Sequence, residues 1–126
     1  MAWLVDNMHW VMLISGVLTC TMVFGAIAPK AALQSMFGES LEGPLAEIIV
    51  RNWSALITLS GAMLIYGAYA TEVRPFVLVV VGTSKLIFIS LILSQFALYG
   101  RRQAGIAAAI DMAMVALFAA YLAATL

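Results

Sequence analysis

Four apolar stretches, each of about twenty residues, dominate this chain of 126 residues. They run over approximately residues 8–28, 50–70, 76–99 and 104–126. A helix rises 1.5 Å per residue, so about 20 residues cross a hydrocarbon layer of about 30 Å. Because backbone groups in lipid must be hydrogen-bonded within their own segment, a run of this length folds as a helix. The sequence therefore predicts an all-α fold, an integral membrane four-helix bundle that forms a single domain over residues 1–126.

The composition excludes several classes of function. Hydrophobic residues make up 65% of the chain and charged residues 10%, whereas about a quarter of a soluble domain is charged. Six basic and six acidic residues cancel, so no net field attracts nucleic acid. The single cysteine, Cys20, and the single histidine, His9, leave no internal disulfide and no zinc-ligand spacing. We expect no resident metal, no cofactor and no nucleic-acid partner.

The sequence contains no set of residues with a catalytic spacing. There is no Ser-His-Asp arrangement and no convincing pair of carboxylates, and the glycines are scattered instead of forming a phosphate-binding loop. His9 lies beside Trp10 at the start of the first apolar stretch, where a solvated interfacial position is the simplest interpretation. The sequence therefore predicts no catalytic residue, and an enzyme is the less expected class of protein.

The connections between the apolar stretches differ in length and character. Residues 71–75 and 100–103 form short turns, so helices two and three, and helices three and four, are predicted to be antiparallel neighbours. The first connection is longer and carries the charged residues Lys30, Glu39, Glu42 and Glu47. It predicts an interfacial segment over residues 30–49, with helix two beginning early at Pro44. A re-entrant lid is the alternative structure for this segment.

Basic residues near the ends of the helices predict the orientation of the chain. Counting crossings from the N-terminus, one side of the membrane holds Lys30, Arg51, Arg101 and Arg102, and the other side holds Arg74. Because basic loops stay in the cytoplasm, both termini are predicted to be non-cytoplasmic. The predicted location is a bacterial inner membrane.

Two charged residues interrupt the apolar stretches. Lys85 lies within the third stretch and Asp111 within the fourth, at a depth where a charge costs about 2.5 to 3.5 kcal/mol. At 1.5 Å per residue their Cα atoms differ by roughly 10 Å in depth, most of which a lysine side chain can span. An intramembrane pair between Lys85 and Asp111 is the leading hypothesis. The alternatives are a hydrogen-bonded Asp111, held by Ser94 or Gln95 at a similar depth, and a path for protons or substrate.

Residues at helical spacing define faces with different chemistry. On helix four, a stripe of small residues predicts close packing, either inside the chain or against a second copy. This stripe consists of Gly105, Ala109, Ala113, Ala116 and Ala120. On helix two, a polar stripe either packs against other helices or lines a pocket in which an arginine attracts an anionic group. The candidate pocket residues, with one from helix three, are Glu47, Arg51, Ser54, Thr58 and Gln95.

Part of the sequence resembles a known family. The segment Arg51-Asn52-Trp53-Ser54 runs into Leu59-Ser60-Gly61-Ala62, and Lys85 follows in the third helix. These motifs, over helices two and three, resemble the DoxX-like group of small four-helix bacterial membrane proteins. Some members of that group look like membrane subunits that accompany redox enzymes. The resemblance implies an association role, and it names neither a partner nor a functional residue.

The sequence as a whole predicts a small membrane subunit or scaffold that associates with itself or with a larger membrane complex. In that case Lys85 and Asp111 are buried in dry contacts that fix the helix arrangement. The alternative is an oligomeric transporter of a small solute or of protons, which requires a continuous polar cavity. A third class is an enzyme that acts on a lipid or quinone in a lateral cleft. A bound lipid or quinone is the small-molecule partner that such a protein would hold.

Overall fold

The computed structural model describes residues 2–39 and 41–125. Met1, Ser40 and Leu126 lie outside these ranges. At these positions the predicted domain over 1–126, interfacial segment over 30–49 and helix over 104–126 extend beyond the described residues. Over the described ranges the chain folds into helices and contains no strand, which confirms the predicted all-α fold. The helices are α1 (Ala2–Cys20), α2 (Val23–Ile27), α3 (Pro29–Phe37), α4 (Pro44–Tyr69), α5 (Arg74–Ser94), α6 (Phe96–Tyr99) and α7 (Gln103–Thr125).

Four helical segments in the described part of the chain are long and apolar enough to cross a membrane. The first combines α1 and α2 over Ala2–Ile27, and the others are α4, α5 and α7. Their number and order match the four apolar stretches, but their bounds differ. Helix α1 begins at Ala2 instead of residue 8, whereas α4 begins at Pro44, which confirms the predicted early start of helix two. The third predicted helix, over 76–99, is divided at Gln95 into α5 and α6.

The connection after the first span is mostly helical. Pro29 is the first residue of α3, a position that suits its fixed φ and missing N–H group. Gly38 ends α3 in a left-handed conformation with φ of 73°, which glycine adopts without strain. Gly43, with φ of 102°, then leads the chain into Pro44 at the start of α4. The predicted interfacial segment 30–49 thus consists of a helix, a short link and the first turns of α4.

The bundle has a hydrophobic core at each end. At the terminus end, the start of α1, the end of α4, the start of α5 and the end of α7 pack together. This core includes Leu4, Met8, Met12, Leu64, Leu78, Val81 and Phe118. The opposite end, here called the α3 end, is built from α3, α5, α6 and α7. Its buried residues and the α3 side chains packed on them are Ile89, Ile92, Ala104, Ala108, Met36 and Phe37.

Helices α1 and α4 approach each other closely at Gly16 and Gly61. A Cβ atom built on either glycine would lie 2.7 Å from the carbonyl oxygen of the other. Real side chains do not tolerate this distance, so each helix needs a glycine at this point. The Sγ atom of Cys20 packs at the same place, 2.7 Å from the Cβ position of Gly61. Small-residue packing of the kind predicted for helix four is therefore found between α1 and α4.

The small-residue stripe of helix four lies on the outside of the bundle. Its middle members Ala109, Ala113 and Ala116 are exposed, and its end members Gly105 and Ala120 are half-buried. The buried residues of α7 are Ala104, Ala108, Met114 and Phe118. The bulky Met114 and Phe118 fill core volume that alanines would leave empty. Packing inside the chain is therefore wrong for the three middle members, whereas Ala120 packs on the core. Packing of the exposed members against a second copy stays a prediction.

We expect Gly61→Ala to lower the free energy of unfolding by about 1 to 3 kcal/mol, because the added methyl group must push α1 and α4 apart. The matched control is Gly82→Ala in α5, where the new Cβ would lie 3.8 Å from Phe118, an ordinary contact. The control should be neutral or slightly stabilising, since alanine favours a helix over glycine by up to about 1 kcal/mol. Unfolding of both variants in one detergent measures the difference. Equal stabilities would contradict the close approach at Gly61.

Candidate functional site

Lys85 and Asp111 form an ion pair in the interior of the bundle. The Nζ atom of Lys85 lies 2.9 Å from Oδ1 of Asp111 and also donates to Oγ1 of Thr19 at 3.1 Å. Thr19 donates its own hydroxyl hydrogen to the carbonyl oxygen of Ser15 at 2.7 Å, which leaves its oxygen free to accept from the lysine. The side chains of Lys85 and Asp111 are only 8% and 17% exposed. The structure thus brings the two charges together and connects them to α1.

The end of α5 at Gln95 explains why the two charges meet at one depth. Lys85 lies nine residues before the end of α5, which is about 14 Å along the helix. Asp111 lies eight residues after the start of α7, which is about 12 Å. An unbroken helix over 76–99 would place Lys85 about 21 Å from its end, which is the source of the predicted offset in depth. Gln95 instead has φ of −123° and ψ of 37°, and α5 ends before it.

A cleft of about 470 Å³ adjoins the ion pair. Helices α1, α4, α5 and α7 contribute to its wall, and Met36 of α3 lies at its α3 end. Most of the wall is apolar and includes Leu18, Trp53, Ile57, Phe88 and Ile110. The polar side chains on the wall are Thr19, Thr21, Ser60, Ser84, Lys85 and Asp111. The ion pair is therefore a polar patch in a mainly apolar cleft.

The cleft opens sideways between α4 and α5. Leu56 of α4 and Ile87 and Leu91 of α5 line it, and all three are more than half exposed. The two helices are close at the terminus end, where the Cβ position of Gly67 is 3.5 Å from Val77. They diverge toward the α3 end, whose core draws on α5 but not on α4 over the described residues. A molecule could enter from the side without passing through either end of the bundle.

Helix α3 is fastened across its end of the bundle by polar and aromatic contacts. Tyr99 donates a hydrogen bond to Oε2 of Glu39 at 2.5 Å, and its ring packs edge-on against Phe37 with centroids 5.2 Å apart. The hydroxyl of Ser35 donates to Oε1 of Gln103 at 2.9 Å. The hydrogen bond to Glu39 raises the pKa of the Tyr99 phenol above its ordinary value of 10.0, and desolvation acts in the same direction. These contacts hold the segment that covers this end of the cleft.

The polar stripe predicted on helix two does not line the cleft. The α4 residues on the wall, which lie on a neighbouring face, are Trp53, Leu56, Ile57 and Ser60. Ser54 is fully buried against α2, so close to Gly25 that this glycine has no room for a side chain. Thr58 is half-buried and donates to the carbonyl oxygen of Ser54 at 2.8 Å. The stripe therefore does not line this cleft, and Ser54 and Thr58 pack between helices.

The other three candidate pocket residues lie toward the α3 end. Arg51 and Gln95 are exposed and Glu47 is half-buried, and none of the three lines the cleft. The sequence places Gln95 at the depth of Asp111, where it could hold the carboxylate. In the structure Gln95 lies beyond the end of α5, and Lys85 holds the carboxylate instead. The predicted position of Gln95 beside Asp111 was wrong because α5 ends before Gln95.

Arg74 is a buried cation that the sequence pattern assigns only to a loop. It is 6% exposed. Its Nε and Nη2 atoms donate to the carbonyl oxygens of Gly67 and Ala68, at 3.0 and 2.7 Å. Its Nη1 atom donates to the hydroxyl of Tyr121 at 3.3 Å. Because the carbonyls at a helix C-terminus attract a cation, Arg74 caps α4 and ties it to α5 and α7.

Several cleft residues carry no signal in the sequence. Trp53, Ser60 and Ser84 lie on the wall of the cleft, and helical periodicity gives no reason to group them. Periodicity shows which residues share a face of one helix. It does not show where two neighbouring helices diverge, and that divergence forms the cleft. An arginine directly before Pro75, after a short turn, is the one available signal for Arg74.

Comparison of the chain with family models, with curated proteins and with solved structures found no match. The resemblance to the DoxX-like group, drawn from residues 51–62 and Lys85, therefore stays a prediction.

We expect Asp111→Asn to lower the free energy of unfolding by about 3 to 5 kcal/mol, because it leaves the Lys85 ammonium buried without a counter-ion. Adding Lys85→Met removes the unpaired charge and should restore most of the stability. The matched control is Asp6→Asn, which changes an exposed carboxylate on α1. Unfolding of the four proteins in one detergent measures these differences. Normal stability of the Asp111→Asn variant would contradict a structural role for the pair.

Proposed function

We propose that this chain is a small integral membrane protein whose side cleft binds the apolar part of a molecule dissolved in the bilayer. In this proposal the four long apolar helices form a transmembrane bundle and α3 lies at the interface. The open side of the cleft, between α4 and α5, then faces the hydrocarbon layer. A lipid or a quinone is the class of molecule that reaches a protein from this direction.

The observation that carries this proposal is an apolar cleft that reaches a buried ion pair. Its volume of about 470 Å³ lies within the range of about 300 to 1,000 Å³ that is typical of small-molecule sites. Such sites combine mostly apolar walls with a few polar groups that orient the ligand. Here Lys85 and Asp111 are the orienting groups, and Trp53 and Phe88 are part of the apolar wall.

The predicted alternatives fit the geometry less well. A transporter of a polar solute needs polar groups that continue from one end of the bundle to the ion pair. The wall of the cleft is mainly apolar, and α3 covers its end. A scaffold that buries both charges in dry contacts does not account for a cleft that reaches Lys85 and Asp111.

The distribution of exposed basic residues supports the predicted orientation. Lys30, Arg51, Arg101 and Arg102 are exposed and lie toward the α3 end. Arg74, at the terminus end, is buried against α4 and contributes no exposed charge there. Because exposed basic residues near helix ends stay in the cytoplasm, we place the α3 end on the cytoplasmic side of a bacterial inner membrane. Both termini then lie on the non-cytoplasmic side.

We expect Ser84→Phe to weaken binding in the cleft, because a phenylalanine ring at this position of the wall takes up part of its volume. The matched control is Ser90→Phe, at an exposed position of the same helix outside the cleft. Trp53 on the cleft wall serves as the sole tryptophan after the exposed Trp3 and Trp10 are replaced by phenylalanine. Each variant, in phosphatidylcholine nanodiscs, is titrated with dibrominated octadecanol, whose bromine atoms quench tryptophan fluorescence.

The expected result is saturable quenching in the Ser90→Phe protein, and saturation only at a higher fraction of probe in the Ser84→Phe protein. A ligand bound in the cleft occupies a single site, so quenching should level off at a low fraction of probe in the bilayer. A quenching curve that rises without saturation, and equally in both variants, would contradict a binding cleft.

A second candidate function is association with another copy through the outer face of α7. The observation that favours it is the exposed position of Ala109, Ala113 and Ala116. Small residues allow two membrane helices to approach closely, which is a main source of helix association in lipid. In this case the protein is the membrane subunit or scaffold that the sequence predicts, alone or within a larger complex.

We expect Ala113→Cys to form a disulfide between two copies under mild oxidation, in a Cys20→Ala background that removes the native thiol. The contact would bring the same residue of both copies together across a close interface. The matched control is Thr83→Cys, an exposed position on α5. Non-reducing gels of intact membranes measure the dimer fraction. Equal cross-linking at both positions, or none at Ala113→Cys, would contradict association through this face.

A further inference from the structure

We propose that the ligand of the cleft is an uncharged amphiphile whose head carries a hydroxyl group, bound between Lys85 and Asp111. This inference rests on the proposed function and names the chemistry of its ligand. Three features carry it: the hydrogen-bonding positions that the ion pair leaves open, the neutrality of the pair, and the apolar side opening of the cleft.

The ion pair leaves one donor and one acceptor for a ligand. The Lys85 ammonium has three N–H groups, of which one is directed to Asp111 and one to Thr19. Asp111 accepts through Oδ1, and its Oδ2 atom accepts no hydrogen bond from residues 2–39 or 41–125. Both charged side chains lie on the wall of the cleft. The third N–H group of Lys85 and the Oδ2 atom of Asp111 are therefore the positions of the pair to which a ligand in the cleft can bond.

A hydroxyl group matches these two positions. It accepts a hydrogen bond from Lys85 and donates its own hydrogen to Asp111. Hydrogen bonds to charged groups are stronger than neutral ones, and they gain further strength where water is excluded. An ester or quinone oxygen can only accept, so it bonds to Lys85 and leaves the Asp111 oxygen without a donor. The site therefore distinguishes a hydroxyl head from an acceptor-only head.

The charge balance of the cleft favours an uncharged head. Lys85 and Asp111 neutralise each other, and the part of the wall that the structure describes contains no third charged side chain. A charged head at this position would lie about 14 Å from the end of α5 without a counter-ion. An unpaired charge at such a depth is costly, whereas a phospholipid head stays at the membrane interface. A phospholipid is therefore a poor match for this site.

The opening of the cleft accommodates the rest of the molecule. Its edges are the exposed apolar side chains of Leu56, Ile87 and Leu91. An alkyl or isoprenoid chain can pass between them and continue into the bilayer while the head stays at the ion pair. Thr19, which also lies on the wall of the cleft, accepts a hydrogen bond from the lysine ammonium and so holds this donor in place.

The test compares four probes that share a dibrominated C18 chain and differ in the head: an alcohol, a methyl ester, a trimethylammonium and a sulfate. Each is titrated, as a mole fraction of bilayer lipid, against the full chain with Trp53 as the sole tryptophan. We expect the alcohol to bind at least about tenfold more tightly than the methyl ester, which lacks the bond to Asp111. Both charged probes should bind at least about tenfold more weakly than the alcohol.

The control variant is Lys85→Met with Asp111→Leu, which removes both charges and leaves neither unpaired. In this variant the alcohol and the methyl ester should bind within about threefold of each other, since only the apolar wall remains. A melting curve shows whether the variant is folded. If it is not, the ranking of the four probes on the protein with its native ion pair decides the question.

The outcomes separate this inference from the proposed function. Saturable binding with equal affinity for the alcohol and the methyl ester, or with preference for the ester, would overturn the hydroxyl head and retain the cleft as a binding site. Tightest binding of the ammonium or sulfate probe would overturn the uncharged head. Absence of saturable binding for all four probes would overturn the proposed function itself.

Discussion

The ion pair between Lys85 and Asp111 in the apolar interior of the bundle determines how α5 and α7 are arranged. Either charge alone would cost several kcal/mol. A shift of one helix by a single turn would move Lys85 about 5.4 Å away from Asp111, so the pair fixes how α5 and α7 are aligned along their length. The hydrogen bond to Thr19 extends this constraint to α1. The same two side chains are the polar patch of the cleft. Under the proposed function, the alignment of the helices and the recognition of a ligand therefore depend on one interaction.

The number of long helices could be predicted from the sequence because lipid leaves an apolar run few alternatives. The ion pair could be predicted for a related reason: Lys85 and Asp111 were the only charges deep within the apolar stretches. The predicted difference in depth between Lys85 and Asp111 was wrong because α5 ends before Gln95. Neither glycine nor proline marks a helix end at this position. The local sequence therefore does not predict this end, after which α6 packs against α7.

The parts of the site that could not be predicted all depend on which helix faces meet. The close approach of α1 to α4 needs both Gly16 and Gly61, which belong to helices far apart in the sequence. Neither glycine is distinctive alone. The small-residue stripe of helix four was a clearer pattern, yet it lies outside the core. Arg74 looked like a loop residue because its partners are backbone carbonyls, which every residue has. Divergence of α4 from α5, which creates the cleft, leaves no mark on either helix by itself.

The cap that Arg74 places on α4 has a consequence for what the cleft can hold. Helices α1 and α4 form one closely packed pair, and α5 and α7 form another. Arg74 joins the two pairs at the terminus end through its hydrogen bonds to the carbonyl oxygens of Gly67 and Ala68 in α4. The hydrogen bond from Lys85 to Thr19 joins the same two pairs again beside the cleft. Two such ties resist separation of the pairs, so a ligand of the kind proposed above would enter a gap of largely fixed width.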